Sequence, residues 1–160
     1  AGYLLFGQDL NLTPEDKVTK ITRVEGFPHR ISVTDEREKI RRIITSEEEL
    51  TAFMTEMDPE GQIELRENFN FNKNIVLAAA TETLEGELNK FKIKRVVKEN
   101  KKKKLTIEME LIYPMTSCPE RETEEDREKK SIIVDLIQLN KTDWEIDFDA
   151  LKKKLPCGEF

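Results

Sequence analysis

Leu105, Ile107, Met109, Leu111 and Tyr113 alternate with Thr106, Glu108 and Glu110. Side chains on a β-strand point to opposite faces with period two, so this run specifies a strand with one face buried and one in water. The segment before it, Phe91 to Lys98, alternates Phe91 and Ile93 with lysines, and Glu99-Asn100-Lys101 supplies a turn between the two. Together they predict an antiparallel hairpin, which requires a second layer to cover its apolar face.

Ile75 to Ala80 is a continuous apolar run, the pattern of a strand buried on both faces and central in its sheet. Phe69 and Phe71 precede it with strand spacing, and Glu85-Gly86-Glu87 follows as a break. Ser131 to Leu139 is a further strand rich in Ile and Val. In Thr142 to Phe148 the residues Trp144, Ile146 and Phe148 alternate with acids. Nearer the start, Lys17 to Val24 and Arg30 to Thr34 favour extended chain, with Gly26 and Pro28 between them; charged Asp35 to Arg42 leads on to Ile43-Ile44.

One helix is clear. Ser46 stands three residues ahead of Glu49, the spacing of a capping box, and Glu47 to Glu49 lie at the positive end of the helix dipole. Leu50, Phe53, Met54 and Met57 then form an apolar stripe at i, i+3, i+4 and i+7, which Asp58-Pro59-Glu60-Gly61 ends. A second, short helix is expected over Asp149 to Leu155, with Ala150, Leu151 and Leu155 inward. The fold class expected is α+β: a mainly antiparallel sheet or sandwich with one principal helix and a short C-terminal helix. All 160 residues read as a single domain, with 1–27 a loosely patterned N-terminal extension.

Charged residues make up 38% of the chain and hydrophobic ones 37%, with six Gly and six Pro, which excludes collagenous and low-complexity classes. No apolar run approaches the ~18 residues of a membrane span. The net charge of −6 is spread over both signs and gives no polyanion-binding signature, so no nucleic-acid partner is expected. Lys98 and Lys101 to Lys104 form one basic cluster, read as a solvated hairpin tip; a phosphate or membrane contact is the functional alternative, without aromatics or arginines near it in the chain. Glu120 to Glu128 reads as a solvated loop or short exposed helix.

Chemistry-bearing motifs are sparse. His29 is the lone histidine and follows Pro28 in an expected loop, without a nucleophile pattern or a phosphate-cradling glycine loop in the sequence. Asp143, Glu145, Asp147 and Asp149 share a strand face, either as its solvent side or as ligands for calcium. No catalytic, cofactor-binding or metal residue is assigned, and no cofactor. Cys118 and Cys157 are spaced too far apart for a zinc knuckle or a redox pair. A disulfide between them would contribute about 4 kcal/mol in the chain-entropy model and would imply an oxidising compartment, while two free thiols are the alternative. Asn11-Leu12-Thr13 and Asn140-Lys141-Thr142 fit the glycosylation pattern. The start at Ala1, without Met or a basic leader, reads as a mature chain.

The order of Ile44-Thr45-Ser46-Glu47-Glu48-Glu49-Leu50, then Phe71-Asn72-Lys73-Asn74-Ile75-Val76-Leu77-Ala78-Ala79, then Gly86, Phe91-Lys92-Ile93 and Leu105-Thr106-Ile107 resembles the small β-rich domain of bacterial envelope lipoproteins and of the protease complex subunit PrcB family. Where that family carries a Pro-Thr-Gly-Gly-Tyr loop, this chain has Thr83 to Leu88 with a single Gly. The resemblance implies an exported, non-enzymatic module that binds another envelope protein. The expectation is therefore an extracytoplasmic binding domain, touching the membrane only through a lipid anchor upstream. A carboxylate-dependent glycan hydrolase, needing two buried acids at a cleft, and an accessory protein with an exposed strand edge are the alternatives.

Overall fold

Residues 131–137 of the strand Lys130–Asn140 (β9) are buried without interruption, because layers of structure cover both of its faces. A computed structural model describes residues 16–19, 21–114 and 123–156. Within them the protein is mostly β, with two sheets rich in antiparallel pairs and two helices. The strand Asn74–Ala80 (β5) lies against β9 from Asn74↔Asn140 to Ala80↔Val134. Ile40–Ile44 (β4) pairs its far side. Along the other edge of β9 run His29–Ser32 (β3) and Thr22–Arg23 (β2), and Leu84–Glu85 (β6) continues the β5 side at Ser131. The doubly buried central strand expected from Ile75 to Ala80 is thus present.

Period-two geometry divides this sheet's side chains between two cores. Val76, Ala78, Ile132, Val134 and Leu136 point to one side, where the helix Glu47–Met57 (α1) lays Leu50, Phe53 and Met57 on them. The Ser46 hydroxyl accepts from the Glu49 N–H at 3.1 Å, and the Asp58 N–H closes the last turn on the Met54 carbonyl at 2.8 Å. The Asp58 carboxylate then accepts from the Gln62 and Ile63 N–H groups at 2.8 and 2.7 Å, turning the chain into an extended strap. Ile63, Leu65, Phe69 and Phe71 of that strap pack on the same core, although it pairs with no strand among the described residues.

On the opposite side, Ile75, Leu77, Ile133 and Ile137 face a second sheet. Its hairpin, Lys90–Glu99 (β7) and Lys104–Pro114 (β8), matches the alternation of the sequence, and Ile93, Val96, Ile107 and Met109 fill the space between the sheets. A bulge between Ile93 and Arg95 keeps both Ile93 and Val96 turned inward. Asp16–Thr19 (β1) flanks β7. The acidic stretch supplies the exposed five-residue helix Glu124–Glu128 (α2), capped by Thr123 and Asp126.

Two expectations are corrected. Residues 149–155 are not a helix: Glu145–Leu155 is one continuous strand (β10), parallel to β8 over its whole length from Glu145↔Lys104 to Leu155↔Pro114. A parallel neighbour needs a crossover, and β9 itself, lying in the other sheet, provides it. A helix there would turn Ala150, Leu151 and Leu155 inward, but Leu151 is 48% exposed and Ala150 is exposed beside it. His29 is also not in a loop; it opens β3 opposite Val134 and is half-buried.

Candidate functional site

At the end of the sandwich nearest the β7–β8 turn, the two sheets leave a cleft of about 260 Å³. Val96, Leu105 and Leu139 give it an apolar floor, and Thr19, Asn140 and Thr142 line its rim. Lys98 belongs to it because its register partner is Leu105, an inward-facing residue of β8. The loop after β9 carries Lys141 and Trp144 to the same place. That loop is pinned at three points: the Lys141 N–H donates to the Lys73 carbonyl at 2.9 Å, the Trp144 N–H to the Thr142 hydroxyl at 3.1 Å, and the Glu145 N–H to the Lys103 carbonyl at 3.3 Å.

The Lys98 ammonium lies 5.0 Å from the centre of the Trp144 ring, within cation–π range. An indole face carrying the Lys98 ammonium, a second lysine and two threonines around an apolar floor suit a ligand that is anionic at one end and flat or apolar at the other. The basic cluster of the sequence therefore acquires the aromatic partner that chain proximity did not reveal. Lys104 is drawn away from the cleft. It holds Asp147 at 3.0 Å and Glu99 at 3.6 Å, and the Asp147 hydrogen bond raises its pKa above the ordinary lysine value.

The acidic quartet does not assemble. Asp143 sits in the exposed loop, Glu145, Asp147 and Asp149 lie along one face of β10, and Asp147 is engaged by Lys104. Among the described residues no group of three or more His, Cys, Asp or Glu converges as a metal site would need. Cys118 and Cys157 lie outside the described residues, and so does the Asn11 glycosylation pattern.

Among the described residues three carboxylates are buried, each engaged by its own neighbours. Asp58 caps α1 as described, and Glu110 on the outer face of β8 is held by Lys153 at 3.0 Å and Lys94 at 3.7 Å. The third, Asp135 on β9, is fully buried and faces the other sheet. Arg23 grips it from β2 through Nε at 3.0 Å and Nη2 at 3.0 Å, and the Ile93 N–H donates to it at 2.8 Å from the β7 bulge. Arg23 also donates to the Ile93 carbonyl. Burial pushes the Asp135 carboxyl above its ordinary value, against the opposing pull of the Arg23, Ile93 and Leu136 hydrogen bonds. This clasp joins three strands and both sheets.

No family model, curated protein or solved structure matches this chain.

Proposed function

We propose that this chain is a non-enzymatic binding module working outside the cytoplasm, which takes an anionic group of its ligand, a carboxylate or a phosphate, in the cleft at the end of the sandwich. The observation that carries the reading is the convergence of Lys98, Lys141 and Trp144 on one cavity. Two ammonium groups supply charge-assisted hydrogen bonds, while the indole and the apolar floor give the ligand body a surface from which water is excluded. The extracytoplasmic part rests on the sequence: the Cys118 and Cys157 pair and the resemblance to envelope lipoprotein domains and the PrcB family. Its ligand on that reading belongs to another envelope protein.

Trp144 is the sole tryptophan, so the chain's indole fluorescence reports on the cleft alone. Titration with inorganic phosphate and with citrate is expected to change that emission saturably, and Lys141→Glu to abolish the change while leaving the far-ultraviolet circular dichroism intact. No saturable change with either anion up to about 10 mM would overturn the assignment. For the compartment, mass spectrometry of native protein after alkylation without reductant is expected to find both thiols protected. Two alkylated thiols, or a gene with a start codon and no leader before Ala1, would remove that part.

A further inference from the structure

On β10 the outward-facing positions read Glu145, Asp147, Asp149, Leu151, Lys153 and Leu155, with the acids before Leu151 and the lysine after it. This strand is an edge: it pairs with β8 on one side, and among the described residues nothing pairs with the other. Its middle is open to solvent, with Asp149, Ala150, Leu151 and Lys152 all exposed. The parallel register sets Asp149 beside Glu108. Glu108 is neutralised by Arg95, whereas Asp149 has a like-charged neighbour and no ion pair among the described residues. Like charges side by side on a sheet face are unfavourable until a cation joins them.

We propose that β10 pairs antiparallel with β10 of a second copy of this chain, about a two-fold axis at Leu151. An antiparallel edge meets itself reversed, so the acidic half of each strand faces the basic half of the other. With the axis at Leu151, Asp149 stands opposite Lys153 of the second copy, twice by symmetry. The two Leu151 side chains then cover each other at the centre. Lys153 already holds Glu110 at 3.0 Å, so the outer face gains a continuous row of Glu110, Lys153 and the second copy's Asp149. Parallel pairing would set acids against acids and lysines against lysines, and a slip by one residue would turn these side chains to opposite faces. The contact joins two four-stranded sheets into one and spans residues 147–155, a small interface of the weak, salt-sensitive kind.

Sedimentation of the full chain between about 10 and 500 µM tests this. A shift from monomer to dimer is expected at low salt and its reversal in ~1 M NaCl. Asp149→Lys alone and Lys153→Glu alone are each expected to remain monomeric, and an equimolar mixture of the two variants to recover the dimer, since each carries the charge that the other needs. Near-ultraviolet circular dichroism checks that both fold. If Lys153→Glu does not, Leu151→Lys serves as the second disrupting variant and must also be monomeric. A wild-type monomer throughout the range, or a dimer that survives Asp149→Lys, overturns the proposal.

Discussion

Replacing Asp135 by alanine tests whether the two sheets are joined by the clasp or only by their apolar faces. The substitution removes the acceptor of two Arg23 nitrogens, each 3.0 Å away, and of the Ile93 N–H at 2.8 Å. Breaking a buried ion pair by deleting one partner costs about 3–5 kcal/mol, because the other charge stays in a poor solvent. The Arg23 side chain keeps 28% exposure and can recruit water, which places the expected cost at the lower end, about 3 kcal/mol. For a domain of this size that is a fall of roughly 6–12 °C in Tm. Asp135→Asn keeps an oxygen for the Ile93 N–H, and because burial already disfavours the charged carboxyl its cost should be clearly smaller than that of alanine. Urea unfolding of the Arg23→Met, Asp135→Asn and doubly substituted chains then isolates the pair. A coupling of about 1–3 kcal/mol is expected, with the double variant less destabilised than the sum of the singles. Additive effects, or a loss below about 1 kcal/mol for Asp135→Ala, would refute the idea that this carboxylate ties β2, β7 and β9 together.

The same carboxyl sets a pH dependence. Its folded-state pKa is raised by burial, so its contribution to stability is complete below the ordinary carboxylate value of about 3.9 and declines as pH rises through the raised value. Measured by urea unfolding across that window, the wild-type advantage over Asp135→Asn should shrink with rising pH; an advantage that grows would contradict the direction. Ser46→Ala removes the 3.1 Å cap of α1 and should cost about 1 kcal/mol, read in the same assay. Ala150→Val should be neutral or stabilising by up to ~0.5 kcal/mol on an exposed strand, whereas a helix at 149–155 would lose a similar amount.

What could be read in the sequence was what local chemistry decides. Ser46 with the Leu50, Phe53, Met57 stripe marks a helix by its own spacing, and the Ile75 to Ala80 run announces a strand covered on both faces. The β7–β8 hairpin is equally local. β10 failed the same test because an edge strand is wet on most sides. Leu151 and Lys152 are both exposed, so no alternation survives to oppose a helical reading, and the strand is held by a partner in register 41 positions earlier, Glu145 on Lys104. The clasp was hidden for a related reason, since Arg23 and Asp135 are 112 residues apart and a buried Asp in an apolar strand looks like any other polar residue. The cleft needed three distant pieces, Thr19, Lys98 and Trp144, to meet at the sandwich end. Only the lysine cluster hinted at it, and the aromatic that completes it came from the far end of the chain.

The position of β9 along the chain has a consequence in time. β2, β3, β5 and β6 all take it as their neighbour, and Asp135 on it closes the contact with β7. A growing polypeptide that has reached residue 129 holds these four strands, β5 with β4 beside it, but lacks the strand that joins them. Their apolar faces must wait, and assembly becomes a late event set by long-range encounters, which is the slow end of the range for small domains. A chaperone that shields extended segments would find its substrate in that interval, before residues 130–140 arrive to zip the sheet from its middle.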